Sequence, residues 1–280
     1  MKSVLMKRPE QAYRTQSAIA SQWKELNYIE LPNLSKAASD YDRFLRLTTE
    51  AGTSVHFLPE SENSGLDSIY THDPAVVTNA GIILCNMGKE TRKGEPDALE
   101  KFFLRNDFPI LGRITPPGTL EGGDVLWLDD RTVAVGEGYR TNGEGIRQFR
   151  ELLADSIDEV IAVPLPHWTG PSDCLHLLSN VSPIDIDLYV VYSPLLPVPF
   201  RNLLLHRGIR LIEVPHEEYL TLGCNILALA PRKVIMLDGN PTVIRRLEVE
   251  GVDVAVFDGS EICLKGAGGP TCLTRPLIRE

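Results

Sequence analysis

Five polar residues, Asp73, Glu121, His176, Asn225 and Cys272, recur along the chain at spacings of 48, 55, 49 and 47 residues. Each precedes or opens a short apolar run, in YTHDPAVV, LEGGDVLW, DCLHLLSN, GCNILAL and GPTCLTRP. Taken singly they say little. A lone histidine is usually structural, a lone cysteine usually behaves as a small buried hydrophobe, and Asp73 before Pro74 or Glu121 before two glycines reads as a plain turn. A shared place in a repeat is different, because equivalent positions of a ring converge on its axis. Two carboxylates, an imidazole and a thiol would then share one site. A thiolate attacks electrophilic carbon, an imidazole moves protons near neutral pH, and a carboxylate holds the imidazole in place.

The glycine-rich stretch Lys265–Cys272, KGAGGPTC, ends on the thiol. A buried structural cysteine needs no such loop, so the glycines are expected to let the backbone carry Cys272 to the common axis.

The elements that must position these residues repeat as well. Residues 74–86 hold two apolar runs around Asn79-Ala80-Gly81, a hairpin signal. A helix follows, with Pro96 in its first turn and Leu99, Phe102 and Phe103 on one face, and then the strand 110–114. The same order returns from Asp124, from Cys174 and from Asn225. A fifth unit is split: it joins CLTRPLI near the C-terminus to SVLMK near the N-terminus, then uses the helix SKAASDYDRFLRLTTEAG and the strand VHFLP. The unit is strand, strand, helix, strand, at a period of about 50 residues. A unit closed by the two termini predicts a ring, against the plainer reading of an α/β sheet with hairpins.

Composition bounds the rest. The chain has 280 residues, 43% of them hydrophobic, and a net charge of −10. That is enough for a sizeable core, and the reading is one catalytic domain over residues 1–280. No Lys/Arg run favours nucleic acid, no apolar run spans a membrane, and the basic start lacks the apolar core of a signal peptide. Five cysteines without finger spacing suggest free thiols in the cytoplasm. Cys174 and His176 have the spacing of a ligand pair, but two ligands make no metal site.

In Thr71-His72-Asp73-Pro74, Leu120-Glu121-Gly122-Gly123-Asp124-Val125, Tyr139-Arg140-Thr141-Asn142, His176-Leu177 and Gly268-Gly269-Pro270-Thr271-Cys272, the sequence resembles the guanidine-modifying enzymes of the pentein superfamily. These include dimethylarginine dimethylaminohydrolases, arginine deiminases and amidinotransferases. The resemblance covers nearly the whole chain and implies a five-bladed α/β propeller of ββαβ units. It implies a cysteine hydrolase of arginine-type guanidines, most closely of an Nω-methylated arginine, with a covalent S-alkylthiouronium on Cys272. His176 would serve as acid and base and Glu121 would orient it. Asp73 would bind the guanidinium, Asp67 the α-amino group, and Arg140 the α-carboxylate. Arg92, on a stretch (residues 87–95) similar to a mobile lid, would be a second substrate-side arginine. No metal or organic cofactor is implied; the partner is a small guanidine, and a homodimer is left open.

The sequence departs from the family patterns in two places. Arginine deiminases carry His-Leu-Asp, whereas this chain has His176-Leu177-Leu178, and Leu178 offers no second carboxylate to an unsubstituted guanidinium. Dimethylarginine hydrolases carry Glu before the guanidinium Asp, where this chain has His72. A cation there would oppose a cationic substrate, so His72 is expected to be neutral or turned away. Arginine deiminase, amidinotransferase and a non-catalytic binding protein of the same fold stay open as alternatives. His56, His206 and His216 are expected to lack partners, and His167 to sit in a proline-rich surface turn.

Overall fold

A computed structural model describes residues 1–173 and 175–279. Cys174, and with it the Cys174–His176 ligand pair, lies outside the described residues. The chain opens with β1 (Ser3–Met6), the long helix Leu34–Glu50 and β2 (Ser54–Phe57). Next come β3 (Ala75–Thr78), β4 (Gly81–Leu84), the helix Glu95–Arg105 and β5 (Ile110–Arg113). The pattern repeats with β6 (Val125–Trp127), β7 (Thr132–Glu137), the helix Gly143–Leu153 and β8 (Glu159–Pro164). It repeats again with β9 (Val181–Asp185), β10 (Leu188–Val191), the helix Val198–His206 and β11 (Arg210–Glu213). The last full copy is β12 (Leu227–Ala230), β13 (Lys233–Leu237), the helix Pro241–Val249 and β14 (Asp253–Phe257), followed by β15 (Arg275–Ile278).

Among the described residues these strands form five three-stranded sheets. In four of them the first two strands pair antiparallel through a hairpin and the third pairs parallel with the second. The helix is what a parallel pair requires, because its strands must both start from the same end. The split sheet obeys the same rule across the termini: β15 pairs antiparallel with β1, and β1 pairs parallel with β2. The architecture is the five-fold α/β propeller expected from the repeat.

Local sequence explains the elements. Gly81 opens β4 at φ +135°, a conformation side chains resist, and so closes the β3–β4 hairpin. Asn33 and Asn142 cap their helices by accepting the N–H groups of Lys36 and Gly145. The helix Gly143–Leu153 turns Ile146, Phe149 and Leu153 onto Val133 and Val135 of β7, all buried. Burying one such side chain contributes about 1.5–3 kcal/mol.

One element differs from expectation. The run after Cys174 does not begin as a strand: Leu177–Asn180 is a single helical turn, and β9 starts only at Val181. Asp124 causes this by accepting the Leu177 N–H at 2.9 Å, while the Ser179 hydroxyl accepts the His176 N–H at 3.1 Å. Among the described residues no helix is long and apolar enough to cross a membrane.

Candidate active site

The ends of the first strands of neighbouring sheets meet at one place. Glu121 lies just before the turn Gly122–Asp124 that leads into β6, His176 just before the turn that leads into β9, and Asp73 just before β3. All three are buried. The His176 ring bridges the two carboxylates: Nε2 lies 2.7 Å from Glu121 Oε2, and Nδ1 lies 3.9 Å from Asp73 Oδ1. Gly123 makes this approach possible, because a Cβ there would sit 2.5 Å from His176 Nδ1.

Glu121 is fully committed. Its Oε1 accepts the N–H groups of Gly88 and Lys89 at 3.0 and 3.1 Å, and its Oε2 accepts from His176 and, at 3.1 Å, from Arg140 Nη1. Burial works against its charge, but the hydrogen bond and charge of His176, and then Arg140, hold the carboxyl below its ordinary range. Asp73 behaves alike: burial opposes ionisation, and His176 and Arg92 prevail, leaving it a carboxylate. Its Oδ2 accepts from Arg92 Nη1 at 2.6 Å, while the buried Oδ1 makes no hydrogen bond among the described residues.

Each remaining substrate-side residue has an internal partner. Asp67 pairs with Lys89 at 2.6 Å. Arg92 is buried, not a surface arginine; it is held by Glu95 through Nε and Nη2 as well as by Asp73. Arg140 is paired with Glu121. His72 is turned away: its Nδ1 lies 2.8 Å from the Thr274 carbonyl oxygen, and burial together with the nearby Arg275 lowers its pKa to about 3, so it is neutral.

Cys272 enters from the strand-end loop before β15. Its carbonyl accepts the His72 N–H at 3.2 Å, one residue from Asp73. Gly268 lies against the Tyr70 ring and Gly269 against the Asn225 side chain, with 2.5 and 2.4 Å to where a Cβ would stand. Cys85, Cys224 and Cys263 are buried, and burial raises each thiol pKa; Cys272 is partly exposed. Of the four described thiols, the one behind the glycines is the best placed for chemistry.

Asp73, Glu121 and His176 offer ligand atoms that all lie within 4.8 Å of one another. That set can hold a cation, and the guanidinium groups of Arg92 and Arg140 already do so on its rim. Lys89 and Arg140, which hold Asp67 and Glu121, also line a cavity of about 280 Å³ with Asn27, Glu90, Tyr139 and Ser172.

Four residues with a part in this geometry were not singled out from sequence as site residues. Lys89 and Glu95 are the counter-ions of Asp67 and Arg92, Asp124 shapes the turn after His176, and Asn225 reaches the Cys272 sulfur. Asn225 carried a signal in its place in the repeat, and Asp124 in the motif that follows Glu121. One histidine expected to lack a partner has one: the Tyr192 hydroxyl contacts His216 Nδ1 at 2.8 Å. His167, expected in a surface turn, meets the Tyr139 hydroxyl at 2.7 Å through Nδ1. His56 packs against Phe102 and Phe108.

The family model for arginine deiminase matches residues 65–198 and 196–279. A dimethylarginine dimethylaminohydrolase of Pseudomonas aeruginosa is 28% identical over 89% of this chain and 91% of its own. An arginine deiminase of Listeria welshimeri is 29% identical over 75% of this chain, which spans only 61% of that longer protein. The solved structure of the Pseudomonas hydrolase, a cysteine-to-serine mutant complexed with citrulline, superposes with a TM-score of 0.79 at 24% identity over 98% of each chain.

Proposed function

Because the chain belongs to the arginine deiminase family, we propose that it hydrolyses the guanidine of an Nω-methylated arginine, giving citrulline and an alkylamine. The observation that carries this reading is the buried Asp73 carboxylate. Its Oδ1, without a hydrogen bond among the described residues, lies 3.9 Å from an imidazole that Glu121 holds from the other side. A cation with N–H donors satisfies Oδ1 directly, and the same N–H groups set the reacting carbon beside His176.

The chemistry follows from that placement. The Cys272 thiolate attacks Cζ, giving a neutral tetrahedral adduct. Protonated His176 donates from Nδ1, the nitrogen facing Asp73, to the substituted nitrogen. The C–N bond breaks and neutral alkylamine leaves, with an S-alkylthiouronium on Cys272. Neutral His176 then takes a proton from water as the oxygen attacks Cζ. The C–S bond breaks with its electron pair returning to sulfur, and the proton left on the urea oxygen passes to the amine as alkylammonium. Glu121 steadies the imidazolium formed in each half.

Substrate binding exchanges partners rather than filling an apolar slot. The guanidinium competes with Arg92 for Asp73, and an α-amino group competes with Lys89 for Asp67. Arg92 then becomes available to an α-carboxylate, and Arg140, still paired with Glu121, lines the neighbouring cavity. Arginine deiminase activity is the second reading, favoured by the matching family model. Leu178 after His176-Leu177 weighs against it, since that position offers no second carboxylate.

The test is product analysis by mass spectrometry on arginine, Nω-monomethylarginine and asymmetric dimethylarginine, with Cys272→Ser as control. Citrulline with methylamine or dimethylamine, absent in the mutant, is expected. Ammonia from arginine alone supports the second reading. No product from any substrate by a folded protein rejects both.

A further inference from the structure

Asn225 stands just before β12, at the position in its repeat that Asp73, Glu121 and His176 occupy in theirs. It is buried, 7% exposed, and its backbone N–H is tied to the Leu222 carbonyl at 2.9 Å. Its side-chain amide lies along the loop that carries the thiol. Oδ1 accepts the Thr271 N–H at 3.0 Å, and Nδ2 lies 3.3 Å from Cys272 Sγ.

This orientation is fixed by chemistry. A backbone N–H can only donate, so the amide oxygen must face Thr271, and the NH₂ group must face the sulfur. The Thr271 hydroxyl holds the same loop by donating to the Ile226 carbonyl at 3.0 Å. Gly269 leaves the space that the amide fills. Among the described groups, Tyr70 and Cys263 feel the thiol: burial raises the pKa of each, and a Cys272 thiolate raises it further, so both are neutral near pH 7.

We propose that Asn225 is a further catalytic residue: its Nδ2–H donates to the Cys272 sulfur, favouring the thiolate and fixing its line of attack. The inference rests on the reading of Cys272 as the nucleophile. A donor on sulfur stabilises the charged form over the thiol. It stabilises sulfur again as a leaving group when the thiouronium collapses, because a thioether accepts hydrogen bonds far more weakly than a thiolate.

Asn225→Asp removes the donor and keeps the tether, and Asn225→Gln separates the donor from the added charge. The aspartate keeps an oxygen for the Thr271 N–H, so the loop stays tethered, but it turns an anionic oxygen toward sulfur. The measurement is the pH dependence of iodoacetamide alkylation at the Cys272 peptide, read by mass spectrometry, with kcat/KM and Tm on the same samples. The expected result is a rise of about one pH unit or more in the alkylation midpoint, the size set by losing a charge-assisted hydrogen bond. At pH 7 kcat/KM falls on the order of a hundredfold. Asn225→Gln, which keeps the donor on a longer arm, is expected to hold the midpoint within about half a unit of the wild type. An unmoved midpoint in Asn225→Asp, with Tm either held or lowered, overturns the proposal and leaves Asn225 a loop tether. Turnover retained by Cys272→Ser would instead defeat the nucleophile reading, while the alkylation midpoint still decides whether Asn225 acts on the sulfur.

Discussion

Replacing Glu121 by Gln tests the arrangement where it is most tightly specified. The side chain keeps its shape, and Oε1 still accepts the N–H groups of Gly88 and Lys89. The other arm changes from an acceptor shared by His176 Nε2 and Arg140 Nη1 into an NH₂ donor. Two costs follow. Arg140 is 5% exposed and loses its buried counter-ion, a loss of about 3–5 kcal/mol in stability. His176 can meet an NH₂ group only by accepting at Nε2, which moves its single proton to Nδ1 and removes the anion that steadies the imidazolium. A proton-transfer contribution on the order of 10²–10⁴ in kcat is then lost. The sign with pH is also fixed. The native pKa of Glu121 lies below its unfolded value, so its stabilising contribution is complete above about pH 4.5 and fades as pH falls toward the native value. Urea titrations from pH 3 to 7 should show an acid-labile increment in the wild type that is missing in Glu121→Gln. Citrulline release at pH 7 should fall at least a hundredfold while the far-UV signal is kept. A variant with kcat within threefold of the wild type would refute the role of Glu121 in orienting His176.

Other perturbations follow from the same geometry. Gly123→Ala places a methyl 2.5 Å from His176 Nδ1 against a buried ring, so kcat should drop by about tenfold to a hundredfold; unchanged steady-state kinetics would show that the ring has room to move. Lys89→Met removes the internal rival for Asp67, and KM for arginine-type substrates should fall severalfold with kcat nearly constant; an unchanged KM would mean Asp67 does not bind the α-amino group. His72 titrates near 3 when folded and near 6.5 when unfolded, so stability is full above pH 6.5 and declines as pH falls toward 3. The loss reaches about 4–5 kcal/mol at 1.36 kcal/mol per unit. His72→Gln should flatten that limb, read from the midpoint of chemical unfolding between pH 4 and 7.

The order of elements was written in the sequence, because apolar period, helix caps and turn residues are local properties. Their recurrence about every 50 residues, with one unit divided between the termini, pointed to a ring over a plain α/β sheet with hairpins. It also placed Asp73, Glu121, His176 and Cys272 at equivalent strand ends, and the glycines before Cys272 told of a close backbone approach. What could not be read was how each charge is satisfied. Asp67 and Lys89 are 22 residues apart, and Arg140 and Glu121 are 19, yet both meet as ion pairs. Arg92 has the character of a surface residue in sequence and is buried between Asp73 and Glu95. Such partners depend on which side chains a given loop turns inward, and burial then makes pairing obligatory by removing the water that would otherwise serve. The same reason hid Asn225: an amide says nothing about its target until the fold sets a backbone N–H on one side of it and a sulfur on the other.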